Sequence, residues 1–289
     1  MSDIIAIDLE KCTGCGLCKT ICCEKKVFDM DAPGGKANPA RAERCSNCGH
    51  CIAICPSDAI THSLMDMERF RPVNFDCLPD ADSLEEFLCS TRSIRHYKDT
   101  PVPDEIIERL LNAATMAHNA HNAQNRAFIV VKDKEKIREL SAAVVAFYKK
   151  LVRLTPKPVR TALSLIMPAA INGLEHTLPE LKRKLWEYDN ENYDFLFHGA
   201  PCVIAITANK LDTMAKDSAV TAQENIRLLA YAMGLGTCVS GYTLSAMGVA
   251  EKILDVPNDQ KIQTIFSLGF RKYKFRKTVD RIPPVVSII

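Results

Sequence analysis

The chain has 289 residues, 47% of them hydrophobic, and a formal net charge of +2. That length suits two domains better than one, and so small a charge creates no general attraction to nucleic acid or an anionic membrane. The start, Met1-Ser2-Asp3-Ile4-Ile5, lacks the basic-then-apolar layout of a signal peptide. The best apolar run, Leu163 to Ile171, is broken by Pro168 and too short to span a bilayer, so the sequence reads as soluble and cytoplasmic.

The first feature along the chain is a pair of cysteine runs. Cys12, Cys15, Cys18 and Cys22 form a C-x2-C-x2-C-x3-C pattern, and Cys45, Cys48, Cys51 and Cys55 repeat it, with Pro56 following. Three thiolates at two-residue gaps let one tight loop hold three corners of a cubane. The fourth corner is closed by the last cysteine of the other run. The spacing therefore predicts two [4Fe-4S] clusters, one held by Cys12, Cys15, Cys18 and Cys55, the other by Cys45, Cys48, Cys51 and Cys22. Gly14, Gly16 and Gly49 leave room for backbone N–H groups near the sulfurs. A structural zinc site would use C-x2-C pairs instead, and a disulfide framework would need a secreted chain. Cys23 is off the spacing and reads as a spare thiol. With Cys77, Cys89, Cys202 and Cys238 it completes a leftover set, read mostly as buried reduced thiols.

Residues 1–63 form the cluster domain on this reading, with a turn-rich connector at Asp31-Ala32-Pro33-Gly34-Gly35 between the runs. Residues 64–82, with Pro72 and Pro79, read as a linker, and 83–289 as the second domain. Ser83-Leu84-Glu85-Glu86 has the pattern of a capping box opening a helix. A helix follows Pro103, with Ile106, Ile107, Leu110, Leu111 and Ala114 on one face. After a loop at 117–125, Ala127 to Val131 is an apolar strand. Residues 134–152 are helical, with Ile137, Leu140, Val144, Phe147, Tyr148 and Leu151 inward. The stretch 155–198 shows helical pieces, several prolines and most of this domain's aromatics. Cys202 to Thr207 is a buried strand, and 217–233 a helix ending at Gly234. Thr237 to Ser240 is a short strand, Ser245 to Leu254 a helix, and Ile262 to Leu268 a strand before a basic, then apolar tail. This alternation predicts an α+β fold, with a small two-cluster domain beside a mixed sheet flanked by helices.

A second set of polar residues could serve a phosphate-bearing cofactor. Arg92, Ser93 and Arg95 offer guanidinium forks and a hydroxyl. Asn122 and Gln124 sit in the loop before the apolar strand. Gly234, Gly236 and Gly241 flank a short strand, where backbone could lie close against a flat ring. The order helix, Gly-x-Gly, strand is the reverse of a dinucleotide fingerprint, so no Rossmann nicotinamide site is indicated. The histidines show no metal-binding spacing.

The cysteine runs, with Cys55-Pro56 and Ala59-Ile60, resemble bacterial two-cluster ferredoxins. Residues 84–289 resemble the nitroreductase family. The matching segments are Ser90-Thr91-Arg92-Ser93-Ile94-Arg95, Asn122-Ala123-Gln124 before Phe128-Ile129-Val130-Val131, Ala222-Gln223-Glu224-Asn225, Gly234-Leu235-Gly236-Thr237-Cys238 and Ser267-Leu268-Gly269-Phe270. The whole chain resembles ferredoxin–nitroreductase fusions, an anaerobic group. The resemblance implies FMN bound across a homodimer interface. It implies Arg92, Ser93 and Arg95 at the phosphate and ribityl end, and Asn122 and Gln124 at the ring. Ser240 and Gly241 would lie near its N5 and O4 edge, and Arg281 would close on the phosphate. His118 and Asn119 stand where the family has Pro-Ser, Asn125-Arg126 where it often has Pro-Trp, and Arg271 where a proline is common, which makes the substrate face atypical. His118 and His121 flank the flavin loop and are candidate proton donors. Trp186, Tyr188, Tyr193, Phe195 and Phe197 are candidates for a lid over the flavin.

Together the two halves imply an oxidoreductase. An external donor, either reduced ferredoxin or NAD(P)H, would feed the clusters and the flavin, and a nitroaromatic, quinone or activated alkene would be reduced. The competing expectation is a relay between a nicotinamide or ferredoxin and a protein partner, with no organic substrate. A cavity for an organic acceptor separates the two.

Overall fold

The computed structural model describes residues 4–32 and 34–289. Met1–Asp3 of the N-terminal segment and Pro33 of the 31–35 connector lie outside the described residues. The chain divides into two compact units, Met1–Asp80 with His121–Ala123, and Ala81–Ala120 with Gln124–Ile289. Residues 64–80, read above as linker, thus group with the first unit.

In the first unit, β1 (Ile5–Ile7) pairs antiparallel with β4 (Ile60–His62), and β2 (Asp29–Met30) with β3 (Ala37–Asn38). Two short helices, α1 (Leu17–Ile21) and α2 (His50–Ala53), each begin one residue before the third cysteine of a run. Gly16 and Gly49 precede them at φ 72° and 75°, the left-handed region where a side chain is strained, and so turn each loop into its helix. The runs start 33 residues apart, from Cys12 to Cys45, and the same offset carries Ile5 onto Asn38 and Asp29 onto His62. Ile5 faces His62 and Asn38 faces Asp29, so the register obeys the repeat and the unit is pseudo-twofold. Its buried core is small: Ile5, Cys18, Val27, Phe28, Ala37, Ile52 and Ile60.

The second unit begins with α3 (Ala81–Ser90) and α4 (Asp104–Thr115), then β5 (Ala127–Val131) and α5 (Lys134–Leu154). The stretch 155–198 holds α6 (Lys157–Ser164) and α7 (Pro168–Asn190), the latter continuing through Pro179. Then come β6 (Cys202–Asn209), α8 (Ala215–Ala232), β7 (Leu235–Val239), α9 (Gly241–Ser245), α10 (Met247–Ile253) and β8 (Gln260–Phe270). Two expectations shift. Helix α3 starts at Ala81, so Ser83 lies inside its first turn instead of capping it, and the helix expected at 245–254 is two helices meeting at Ala246.

The sheet order is β5-β6-β8-β7, and its three pairings are antiparallel. No parallel pair, which a mixed sheet would contain, occurs among the described strands. Strand β6 is apolar along nearly its whole length because both its faces are covered. Alternate residues point to opposite sides. Val203 and Ala205 join a core with Leu140, Val144, Leu181 and Phe197, while Cys202, Ile204 and Ile206 join another with Leu110, Ala222 and Ile226. A register shift opposite Ile206/Thr207 puts an extra residue into β8. It returns Ile262 and Ile265 to the same core despite their odd spacing.

Candidate functional site

The repeat of the first unit produces two cavities. One is lined by Cys12, Cys15, Cys18 and Cys55, the other by Cys22, Cys45, Cys48 and Cys51. Each set holds three cysteines of one run and the last of the other, the same division as the spacing predicts. All eight are free thiols. Burial and the neighbouring sulfurs Cys48, Cys45 and Cys22 push the Cys51 thiol up to about 11, and burial also raises Cys18. Four thiol donors converge on each cavity, the ligand number and type that a [4Fe-4S] cluster takes. The donor set therefore fits iron–sulfur clusters. No group of three or more His, Cys, Asp or Glu among the described residues is arranged to hold a single metal ion. Cys23 lines neither cavity. It is exposed, as are Cys77 and Cys89, so only Cys202 and Cys238 of the leftover set are buried.

In the second unit a cavity of about 710 Å³ is lined by Arg95, Ser240 and Gly241 together with Tyr148, Lys184, Tyr193, Phe195, His198, Cys238 and Tyr242. Its construction starts at Gly236. A Cβ there would sit 2.2 Å from Ile94 Cγ1. The missing side chain lets residues 92–95 lie directly on β7, where Ile94 N–H donates to Thr237 O at 3.0 Å. This is a different use from the flat-ring contact expected of Gly236. It delivers Arg95 and Ser93 to Cys238, whose thiol is raised by burial and lowered in turn by both groups. Beside them Arg92 donates Nη1–H to Thr91 O at 2.5 Å, and its buried Nε has no partner. A buried guanidinium N–H without an acceptor fits an anionic ligand. Space beside Gly241 is open.

The far wall comes from α5, α7 and the turn before β6. Asp194 shapes that turn by accepting from Ser141 Oγ at 2.7 Å and from the N–H groups of Leu196 and Phe197. His198 follows with a left-handed φ of 57°. Tyr193 Oη lies 3.3 Å from His198 Nδ1. Burial, aided by the positive charges of Arg95 and Lys184, pushes the His198 pKa down to about 4, against the pull of Asp194. Lys184 Nζ stands 5.7 Å from the Phe195 ring centroid and 5.9 Å from that of Tyr242, and pairs with Glu180 at 3.5 Å.

Of the sequence-derived residues, Arg95, Ser240 and Gly241 meet in this cavity, with Ser93 one contact behind. Gln124 N–H donates to Asn119 Oδ1. Asn122 belongs to the first unit, where its Nδ2 donates to Ser46 O at 3.1 Å and Asn47 O at 2.7 Å. His118 and His121 do not line the cavity. The His118 carbonyl accepts from Thr221 Oγ1, and His121 is left-handed at φ 53°. Arg281 is in the exposed tail. Among the lid candidates, Tyr193 and Phe195 line the cavity, Phe197 is core and Trp186 is 56% exposed. His198, Lys184, Tyr148 and Tyr242 escaped the sequence reading. A signal existed for one of them: a histidine beside glycine at the entrance to a buried strand.

Comparisons with known proteins agree with this anatomy. The model of the nitroreductase family matches residues 88–270, and that of the 4Fe-4S binding domain matches 41–61. A 4-nitrobenzoate reductase of Nocardioides sp. strain LMS-CY is 23% identical over 212 residues, covering 67% of this chain and 82% of that protein. A nitrobenzene nitroreductase of Ectopseudomonas oleovorans is 25% identical over 202 residues, covering 67% and 88%. A 58-residue stretch is 43% identical to an Archaeoglobus fulgidus protein, of which it spans 33%. In fold, the chain is similar to a nitroreductase of Bacteroides fragilis NCTC 9343 solved with bound FMN, at TM-score 0.53 and 16% identity, covering 71% of this chain and 98% of that one. Among the described residues no helix is long and apolar enough to cross a membrane.

Proposed function

From a chain that belongs to the nitroreductase family and carries a 4Fe-4S binding domain ahead of it, we propose an oxidoreductase that passes electrons through two [4Fe-4S] clusters to FMN and reduces a nitroaromatic, quinone or activated alkene. The observation that carries this reading is the 710 Å³ cavity. Its volume lies in the range of about 300–1,000 Å³ typical of small-molecule sites, and its aromatic wall of Tyr148, Tyr193, Phe195 and Tyr242 suits an organic acceptor beside the flavin. When bound, the clusters supply single electrons and the flavin pairs them for a two-electron reduction.

The chain supplies binding and orientation. Cys12, Cys15, Cys18 and Cys55 hold one cluster, and Cys45, Cys48, Cys51 and Cys22 the other. Arg92, Ser93 and Arg95, with Arg281 from the tail, neutralise the FMN phosphate. Ser240 and Gly241 would offer backbone N–H groups at the ring's edge, while Asn122 and Gln124 are ring candidates by resemblance alone. His118 and His121 are proton-donor candidates by sequence position alone, since neither lines the cavity. The cluster region 1–63 precedes the flavin region 83–289, with 64–80 grouped with the first unit, in a cytoplasmic homodimer. The apolar tail supports the dimer, since Val285, Ile288 and Ile289 are fully exposed in one chain. Reduced ferredoxin or NAD(P)H is the donor.

The test is anaerobic stopped-flow spectroscopy of the photoreduced holoprotein mixed with nitroaromatics, quinones and activated alkenes. Rapid, saturable flavin reoxidation by one class is expected. Reoxidation only by redox proteins would replace this reading with the relay.

A further inference from the structure

The two cysteine cavities are related by the 33-residue repeat, yet one contact breaks the symmetry. His62, at the end of β4, is 3% exposed and lines the cavity of Cys22, Cys45, Cys48 and Cys51. Its Nε2 lies 3.7 Å from Cys45 Sγ. Its Nδ1 lies 3.2 Å from Leu64 N and accepts that backbone N–H. A backbone amide can only donate, so Nδ1 carries no proton and the ring proton is on Nε2, directed to the sulfur. The tautomer follows from geometry alone. Strand pairing fixes the ring's position, since His62 is registered against Ile5.

The same offset places Asp29 where His62 would stand for the other cavity. Asp29 is engaged elsewhere, in a two-pronged pair with Arg41 at 2.7 Å and 2.7 Å. Backbone donors reach both sets of sulfurs. Asn47 N–H reaches Cys45 Sγ at 3.4 Å, and Ala59 N–H reaches Cys55 Sγ at 3.4 Å. The first cavity has the Ser57 hydroxyl 3.8 Å from Cys55, but no imidazole.

We propose that His62 is a positioning residue that donates its Nε2–H to the Cys45 sulfur and thereby raises the reduction potential of the cluster held by Cys45, Cys48, Cys51 and Cys22. The proposal rests on the two-cluster reading above. A donor at a ligating sulfur stabilises negative charge on the cluster, and the reduced cluster carries one more electron than the oxidised one. The hydrogen bond therefore favours reduction. Burial strengthens it, because little water competes at the sulfur. The two clusters are then unequal by construction, and the buried His62 imidazole contributes to the difference at the second.

The experiment is a potentiometric titration of the purified holoprotein followed by electron paramagnetic resonance, on the native chain, His62→Leu and His62→Gln. Leucine removes the donor while filling the space, and glutamine can restore an N–H. Iron and sulfide are assayed first. A native protein short of eight of each overturns the two-cluster reading, whereas eight with no shift in His62→Leu overturns the role of His62. The expected result is one cluster falling in potential while the other stays. The fall corresponds to about a tenfold loss in reduced-to-oxidised ratio, or about 59 mV for one electron. His62→Gln should recover part of it. Equal movement of both clusters, or equal effects of leucine and glutamine, overturns the proposal. If His62→Leu fails to assemble its clusters, the native protein decides. In a His50→Gln protein, which removes the other histidine lining that cavity, nitrogen-15 in the remaining histidines should give a hyperfine coupling to one reduced cluster, and absence of that coupling rejects the contact.

Discussion

The first unit surrounds its two cysteine cavities with a thin core of Ile5, Val27, Phe28, Ile52, Ile60 and a few neighbours, while the second sandwiches its sheet between two large ones. The contrast concerns where stability resides. Small domains that cannot bury enough apolar surface depend on disulfides or metals, and here the cysteines that would crosslink the core are free and turned toward the cavities. The second unit has both faces of β6 covered and can hold an open, water-accessible cavity at its margin without losing its fold.

The strongest way to break this comparison is to remove iron. Chelation under reducing conditions should abolish hydrogen-exchange protection over 4–63 and leave β6 and β8 protected, because cluster binding and folding of the first unit are one equilibrium. Equal survival of both units would mean that the thin core suffices. A smaller effect is expected at the cofactor's anionic end. Arg92→Ala and Arg281→Ala should each weaken FMN about tenfold or more and leave riboflavin nearly unaffected, since a charge-assisted contact contributes about 1.5–3 kcal/mol. Fluorescence titration with both ligands measures the difference, and parallel losses would place these arginines elsewhere. Gly236→Ala probes the packing of the second unit. Its new methyl would press on Ile94, at an expected cost of about 1–3 kcal/mol in denaturant midpoint, accompanied by weaker FMN binding as Arg95 shifts. An unchanged midpoint would show that the 92–95 segment yields freely.

The mildest test is pH. His198 has its folded pKa lowered to about 4 from an ordinary value near 6.5. Below pH 6.5 the unfolded chain takes up a proton that the folded chain refuses, so stability falls as pH drops from 6.5 to about 4 and then levels. Urea midpoints of the native protein and His198→Gln should converge across that window, the native protein losing its advantage toward the acid side. A constant gap would show that His198 titrates normally.

The cysteine sets were legible because their chemistry is local. Three ligands at fixed gaps dictate one loop, and the repeat tells which run supplies the fourth. Long elements were legible for the same reason. Periodicity marked α4, α5 and α8 within a few residues, and the unbroken apolar run of β6 announced a strand buried on both sides. Helix α7 was less visible because Pro179 and scattered aromatics blur its period, and packing of Leu178, Leu181 and Leu185 overrides that local signal. The sequence by itself therefore determined the grouping of the cysteines and most of the elements, but not the use of Gly236, which packs against Ile94 instead of a flat ring. Only the tertiary structure brought Arg95, Tyr148, Lys184, His198 and Tyr242 around one cavity, because they come from separate elements whose meeting depends on how the sheet is covered. It alone set the proton of His62 on Nε2, since a tautomer is chosen by the groups that fold against the ring and no spacing along the chain encodes it.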